Sequence, residues 1–288
     1  MKRNKILILT ILFTMIFTIG VGAETYTIKW KPFSGSLNYT YENTLDFKMD
    51  ISPQETMDWQ LIQTMVMEQE MQQNDEGNIS TLVTITDYNQ DIKGMALQEQ
   101  EKEELEKASQ AIVGKVFQMK LTPQGKILEI NMPEGFDSMG NAFNYNIAAY
   151  FPEEPLAIGD SWEHDEKVRL PLENNLGDLP MEMNFKYRLI GTQEIDGYQC
   201  LVISVNGDMQ MEFSSPLGEG QKMDMDMQMD LGGYYYFAPE KGILIKSIVE
   251  GKMVGLMGIP VPTNQEQTEF TNQQFKMEMN IKGTMDLN

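Results

Sequence analysis

The chain has 288 residues, with 22 Lys and Arg against 43 Asp and Glu, and a formal net charge of −21. This excess of negative charge argues against nucleic-acid or anionic-membrane binding, because both need basic patches. A single cysteine, Cys200, excludes an intramolecular disulfide.

The first 23 residues are typical of a secretory signal peptide. Lys2, Arg3 and Lys5 precede an apolar run, and the small residues Val21 and Ala23 occupy the −3 and −1 positions of a predicted cleavage site. The alternative is a retained membrane anchor, since a span needs about 18 residues or more. Cleavage near Ala23 removes three positive charges and no negative one, which takes the net charge from −21 to −24. We expect a secreted or periplasmic protein without a transmembrane segment after cleavage.

Strict alternation of apolar and polar residues predicts half-buried β-strands along most of the chain. The clearest runs are 37–49, 57–71, 181–189, 201–213 and 275–287, and further candidates are 79–88, 115–121, 126–131, 161–170, 234–238 and 243–254. Turn residues separate them at 74–78, 122–126, 194–198 and 238–242. Because the longest runs far exceed the usual ~5–6 residues, they predict a mainly β fold, a long-stranded antiparallel curved sheet or half-open barrel.

Two segments have helical character. Residues 97–113 are rich in helix formers, with Gly114 as a stop, and residues 133–150 begin at Pro133 and repeat apolar residues at three- and four-residue spacings. The second segment, which includes Phe143, has the larger apolar face. We expect both helices near the concave face of the sheet.

The pattern after the signal peptide predicts a single antiparallel β domain over 24–288. The Pro-rich element "FPEEPLAIGDSW" (151–162) leaves two halves, 24–150 and 151–288, as an alternative. The apolar stretch "VGLMGIPVP" (254–262) contains two Gly and two Pro, which predicts a loop between two strands.

Methionine is concentrated at the apolar positions of these strands. Residues 222–230 read "KMDMDMQMD", and 18 of the 22 methionines after residue 23 occupy inward-type positions. Thioethers suit Cu(I), but alternate residues on one strand stand roughly 6.8 Å apart, so one strand brings at most two sulfurs to one ion. With no His partner nearby, we predict no metal and no cofactor.

Two interpretations of this Met-lined face stay open. Met fills irregular cores, and it also forms surfaces that adapt to varied apolar partners. For the second interpretation the candidate ligand-binding residues are Met65, Met67, Met181, Met183, Met209, Met211, Met225, Met227, Met277, Met279 and Phe143.

Catalytic signatures are scarce. His164 is the only histidine and lies among acids, and Cys200 has no His near it in sequence to activate it. No phosphate-binding Gly loop, dinucleotide fingerprint or HExxH motif is present in the sequence. We therefore expect a protein that is not an enzyme. A hydrolase would need His164 or a carboxylate pair inside a cleft.

Several segments together resemble a family of secreted bacterial β-rich proteins known only as a domain of unknown function. They include "SLNYTYENTLDFKMDI", "WQLIQTMVMEQEMQQ", "IDGYQCLVISV" and "GGYYYFAPEKGILIKS". The most specific element is Pro-x-x-x-Gly-Asp-Ser-Trp, at Pro155, Gly159, Asp160, Ser161 and Trp162. The expected architecture is also similar to the envelope lipoprotein and lipid carriers, which hold acyl chains in a half-open barrel.

These observations favour a non-enzymatic binder of an apolar ligand, a lipid or acyl chain, on the Met-lined face. The alternative is a structural or interaction protein of the cell envelope with a filled core. Neither interpretation identifies the ligand or a protein partner.

Overall fold

The computed structural model describes residues 24–52, 55–131, 149–172, 177–218, 221–262 and 270–288. Within these residues the main element is one antiparallel sheet of eleven strands, which is curved but not closed into a barrel. This confirms the predicted fold class. The predicted signal peptide lies outside the described residues.

The long elements follow the predicted order, and two short strands that the sequence pattern did not predict are added. The elements are β1 Thr25–Tyr26, β2 Leu37–Ser52, β3 Glu55–Gln73, β4 Ile79–Lys93, α1 Glu99–Ile112, β5 Val116–Leu121, β6 Ile127–Asn131, β7 Leu156–Ala157, β8 Ser161–Leu172, β9 Gly177–Ile195, β10 Tyr198–Gly218, β11 Gln221–Ala238, β12 Ile243–Pro262 and β13 Phe270–Leu287.

The sheet is two meanders joined in the middle. Strands β2 to β6 pair in sequence order, as do β8 to β13, and β2 pairs with β13. The junction is long, running from Tyr39 opposite Leu287 to Asp50 opposite Lys276. The first long strand and the last therefore lie side by side at the centre of one continuous sheet.

Alternation places one set of side chains on the core side, here called the inward face. On β9 the odd-numbered residues from Met181 to Leu189 face inward and are buried, while the even-numbered residues between them, such as Glu182 and Lys186, are exposed. Long β-branched and aromatic runs favour extended backbone, and the period of two then fixes which side chains are buried.

The prediction of a loop at 254–262 is wrong. These residues belong to β12, whose register with β13 continues to Pro262 opposite Phe270. On the other side β12 pairs with β11 as far as Gly258 opposite Asp224. Two long neighbouring strands thus hold in extended form a segment whose Gly and Pro content is typical of a loop.

The first predicted helix is confirmed, and it is α1. It lies against β4, where Ser109 is its one buried residue among those described. Ser109 bonds to Gln90, which faces inward on β4, so α1 covers the inward face near this side of the sheet. The second predicted helix, 133–150, lies almost entirely outside the described residues; Ala149 and Tyr150, its last two residues, are not helical.

One end of the inward face is closed by two irregular segments, 27–33 and 149–155. Trp30 donates its ring N–H to Ala149 O at 3.1 Å, and its ring lies 5.3 Å from that of Phe237. Phe151 packs on Phe237 at 4.7 Å. Gly125 allows this approach, because a Cβ there would lie 2.2 Å from Ala149 O. An aromatic cluster therefore seals this end of the core.

The Gly-Asp-Ser-Trp element makes a turn into β8. Gly159 has a φ of +104°, and the Asp160 carboxylate accepts a hydrogen bond from Ala157 N at 2.8 Å. Trp162 follows as a buried residue and donates its ring N–H to Tyr150 O. The element acts as a structural turn with an aromatic anchor.

Within the part of the chain that the structure describes, no helix combines the length and apolarity needed to span a bilayer.

Candidate functional site

The inward face carries two rows of methionine that run across neighbouring strands. In the first row Met183, Met209, Met229, Met253 and Met279 lie directly opposite one another, followed by Phe47 and Trp59. The second row is Met181, Met211, Met227, Gly255, Met277, Met49 and Met57. At about 4.8 Å per strand, each row is roughly 29 Å long. We call these two sets the methionine rows.

Burial changes along the methionine rows. On β9, β10 and β11 the second row is closed, with Met181 at 1% and Met227 at 2% exposure. Farther along the same row Met277 and Met49 are half-buried, and Met57 is 40% exposed. We call the inward faces of β9–β11 the sealed half. We call those of β13, β2 and β3, where half-buried residues stand among buried ones such as Met279 at 1% exposure, the partly exposed half.

The partly exposed half is apolar and half-buried over several adjoining positions. Phe47 and Trp59 stack with ring centroids 4.0 Å apart and planes within 10°. Leu61 and Ile281, in the next row, are also half-buried. An apolar face of this kind, left partly in contact with solvent, is the typical lining of a binding cleft.

The predicted ligand-binding residues divide between these regions. Met277 is half-buried in the partly exposed half, and Phe143 lies outside the described residues. The other nine are buried: Met65, Met67, Met181, Met183, Met209, Met211, Met225, Met227 and Met279. Met65 and Met67 lie toward the opposite end of β3 from the methionine rows, opposite Tyr41 and Tyr39.

A chain of polar side chains crosses the inward face beside the methionine rows. Asn43 donates from Nδ2 to Gln63 Oε1 at 3.4 Å, and Gln63 donates from Nε2 to the Tyr88 hydroxyl at 2.7 Å. Tyr88 in turn donates to Gln90 Oε1 at 3.2 Å. We call this chain, with its continuation onto α1, the polar relay.

The relay ends on the helix. Gln90 Nε2 donates to Ser109 Oγ at 3.0 Å, and Ser109 donates to Leu105 O at 2.9 Å. It thereby links the centre of the sheet to α1. Polar residues at inward positions, such as Asn43 and Gln63, interrupt the apolar alternation of β2 and β3, and that interruption is the sequence signal from which the relay could have been found.

Asn43 holds an unsatisfied atom. The residue is 4% exposed, and its Oδ1 has no hydrogen-bond partner among the described residues. It lies beside Gly283, where a Cβ would be 3.2 Å from the Tyr41 hydroxyl and 3.7 Å from Asn43 Oδ1, so the Tyr41 ring packs closely over this glycine. Burial raises the pKa of Tyr41 to about 12, so this hydroxyl is protonated at neutral pH.

Two hollows lined by described residues adjoin the inward face. One, of about 20 Å³, has room for about one water and is lined by Trp30, Tyr39, Met67, Gln69, Val83, Leu244 and Met285. The other is a polar groove of about 580 Å³ between α1 and β4, bordered by Asp91, Lys102 and Glu106 and by Tyr88 and Gln90 of the relay.

Cys200 and His164, the other residues considered for chemistry, both pack in the fold. Cys200 is buried, and burial raises the pKa of its thiol to about 11, which makes it a poor nucleophile. His164 stacks on Tyr150 with ring centroids 4.1 Å apart. Across the described ranges, no group of three or more His, Cys, Asp or Glu side chains is placed to hold a metal ion.

Comparisons with known proteins assign no family. No family model and no curated protein matches the chain. Among solved structures, a mutant porin from Rh. blastica is 8% identical over 88% of this chain and 99% of its own, with a TM-score of 0.21. A DUF1329 family protein from Desulfovibrio piger is 10% identical over 88% of this chain and 87% of its own, with a TM-score of 0.18. Likenesses this slight establish neither a shared fold nor a function.

Proposed function

We propose that this protein is a non-enzymatic binder of an apolar ligand, a lipid or acyl chain, in the cell envelope or outside the cell. The observation that carries the proposal is the partly exposed half, where Met277, Met49, Met57 and the Phe47–Trp59 stack form an apolar surface that solvent still reaches. Leaving such a surface uncovered costs free energy, which a bound apolar chain recovers.

Methionine suits this role. Its unbranched, polarisable side chain rearranges around ligands of different shape at little cost. The single strand β12 separates the partly exposed half from the sealed half, so an acyl chain entering near Met57 meets further methionine along its row instead of polar groups. This arrangement supports broad acceptance of chains over strict selection of one.

The proposed compartment rests on the sequence. A signal peptide over 1–23 directs export, and the charge of −24 that remains after its removal keeps the protein soluble in an aqueous compartment. The same charge disfavours docking onto anionic lipid surfaces, so the proposed cargo is single lipid molecules and not a bilayer.

The first test is native mass spectrometry of the mature protein, purified from a bacterial envelope without detergent, followed by lipid extraction. We expect a bound species of lipid mass that is released on unfolding. Bare protein that also takes up no added fatty alcohol, fatty acid or phospholipid would contradict the proposal.

Paired variants locate the site. Met277→Lys places a charge in the partly exposed half and is expected to weaken binding about tenfold or more, since a buried charge costs at least 1.4 kcal/mol there. Leu256→Lys is the matched control, because Leu256 lies on β12 opposite Asp226 and Lys276 on the outward face. It should bind as the natural protein does. Equal loss in both variants would place the ligand elsewhere.

A second candidate function is supported by the sealed half. Those of its methionines whose burial is described are 1–5% exposed, and the 20 Å³ hollow, elsewhere on the inward face, is too small for a lipid. These facts favour a structural or interaction protein with a filled core. Absence of any lipid in the mass spectra, together with a co-purifying envelope protein, would favour this function over ligand binding.

A further inference from the structure

Three neighbouring strands of the partly exposed half each place one methionine at the same level of the second methionine row. Met277 on β13 lies directly opposite Met49 on β2, and Met49 lies directly opposite Met57 on β3. Met277 and Met49 are half-buried, and Met57 is 40% exposed. Solvent therefore reaches a group of three thioethers that the sheet register holds side by side. We call this group the methionine triad.

The spacing of the methionine triad suits a single ion. Alternate residues of one strand stand roughly 6.8 Å apart, but directly opposite residues of neighbouring strands have Cβ atoms about 4.5–5.5 Å apart. The Cβ atoms of the outer two residues, Met277 and Met57, are therefore roughly 10 Å apart, with Met49 between them. Two bonds carry each sulfur roughly 3 Å beyond its Cβ, so outer sulfurs that lean toward Met49 come within roughly 4 Å of each other. That gap is close to twice the length of a metal–sulfur bond, about 2.3 Å, with an ion midway.

Another methionine of the same row shows that these side chains do lean across the sheet. Gly255 on β12 stands between Met227 and Met277 in the row. A Cβ on Gly255 would lie 2.6 Å from Cγ of Met227, so the Met227 side chain occupies the space that a Gly255 side chain would fill. Methionine is unbranched and has three rotatable bonds, which gives the triad the same freedom to bend along its row.

Thioether sulfur selects a narrow class of ion. It is a soft, neutral donor that suits Cu(I), whereas hard ions such as Mg²⁺ and Ca²⁺ are bound through oxygen. The net charge of −24 that remains after removal of residues 1–23 attracts cations of every kind. Charge therefore raises the local concentration of cations, and the sulfur atoms supply the preference among them.

The other soft ligands of the chain lie elsewhere. Cys200, the only cysteine, is 1% exposed, and burial raises the pKa of its thiol to about 11, so it offers little thiolate. His164, the only histidine, lies on β8 at the edge of the sheet, with β9 to β12 between it and β13. Neither residue can share one ion with the methionine triad.

We propose that Met277, Met49 and Met57 form a three-sulfur site for Cu(I) on the inward face. The sequence-based expectation of no metal considered the sulfurs of a single strand, whereas the register supplies one sulfur from each of three strands. The inference goes beyond the proposed function, because an apolar chain uses the hydrophobic surface of these side chains and Cu(I) uses their sulfur atoms. Since thioethers carry no titrating proton, Cu(I) affinity should be the same at neutral and mildly acidic pH, unlike that of a thiolate or imidazole site.

The first test measures the affinity of the mature protein for Cu(I), kept reduced with ascorbate, by competition with the chromophoric chelator bicinchoninate. We expect one ion per chain and, after correction for protonation of the chelator, equal affinity at neutral and mildly acidic pH. X-ray absorption spectroscopy of the copper-loaded protein should show sulfur neighbours only. Failure to compete with the chelator, nitrogen or oxygen neighbours, or an affinity that falls steeply in acid would each overturn the site.

Substitution by leucine separates the sulfur from the hydrophobic surface, because Met and Leu have similar volumes. Met49→Leu and Met57→Leu should each weaken Cu(I) binding at least about tenfold, since each removes a ligand, while uptake of fatty acid stays the same. Met57 is 40% exposed, so its variant keeps the fold even if Met49→Leu is unstable.

Met65→Leu is the matched control. Met65 also lies on β3, but it is buried and stands opposite Tyr41, away from the methionine rows. This variant should bind Cu(I) as the natural protein does. Cys200→Ala should do the same, because the buried thiol is not a ligand. Unchanged affinity in the two triad variants, or an equal loss in either control, would overturn the site.

Discussion

The sealed half and the partly exposed half use the same residue in the same pattern but differ in burial. Met227 and Met57 occupy one row, yet Met227 is 2% and Met57 is 40% exposed. The sealed half has aromatic neighbours in series: Trp162 stacks on Tyr187 at 5.4 Å, and Tyr187 lies 6.5 Å from Tyr235. Among its described residues the partly exposed half has one stacked pair, Phe47 and Trp59. Alternation thus selects the inward face, but it does not decide how deeply each methionine on that face is buried.

Shortening two methionines of the same row to alanine should lower the free energy of unfolding by very different amounts. Met227→Ala should destabilise the protein by about 2–5 kcal/mol, because it leaves a cavity in a closed core. Met57→Ala should cost less than about 1 kcal/mol, since this side chain already contacts solvent. Urea unfolding of both variants measures the difference. Similar losses for the two would show that the halves are equally closed.

A smaller effect in the opposite direction is expected at Thr81 on β4. Its Oγ1 is buried without a partner among the described residues, an arrangement that costs about 1–3 kcal/mol. Thr81→Val keeps the shape and removes that atom, so the midpoint of urea unfolding should rise. A fall in the midpoint would indicate that a bound water satisfies the hydroxyl.

Alkaline pH should distinguish two tyrosines that share one row, Tyr41 in the partly exposed half and Tyr235 in the sealed half. Burial raises the pKa of Tyr41 to about 12 and raises that of Tyr235 further. In the unfolded chain both tyrosines have a pKa near 10. The stability that each neutral, buried tyrosine contributes is therefore complete below pH 10 and is lost as the pH rises from there toward the folded-state pKa. Absorbance titration should show Tyr41 ionising at lower pH than Tyr235. The variants Tyr41→Phe and Tyr235→Phe identify the two steps, because each removes one of them. The reverse order would contradict the difference in burial.

The smallest expected effect lies on the outward face of the sealed half. Glu212 and Asp226 stand directly opposite each other on β10 and β11, and like charges so placed repel. Asp226→Asn should therefore stabilise by a few tenths of a kcal/mol at low salt, and the gain should vanish at high salt. Thermal unfolding at two ionic strengths measures it; a gain that does not depend on salt would exclude repulsion as the cause.

Much of the fold was predictable because alternation is a local property. The runs 37–49 and 275–287 became β2 and β13 with their inward sets unchanged, and 97–113 became α1. The stretch 254–262 was not, since its Gly and Pro content is locally that of a loop. Its pairing with β11 and β13 is supplied by residues far away in the sequence.

The candidate site was predictable in kind but not in place. Methionine at inward positions predicted a Met-lined face, but of the predicted ligand-binding residues Met277 alone is half-buried among those the structure describes. Phe47 and Trp59, which form the stacked pair of the partly exposed half, were not among the candidates. Their proximity depends on the register of β2 with β3, which a sequence pattern does not specify.

The alternating pattern was enough to predict most of the strands and the face that each side chain takes, because a period of two can be read residue by residue. Tertiary contacts decide which methionines are closed off, which stay in contact with solvent, and that Asn43 ends a hydrogen-bonded relay that reaches α1. These outcomes depend on cross-strand register and on contacts between distant segments, such as Trp30 with Ala149 and Gln90 with Ser109. Neighbouring residues carry no information about such contacts, since burial is a property of what packs above a side chain and not of the side chain itself.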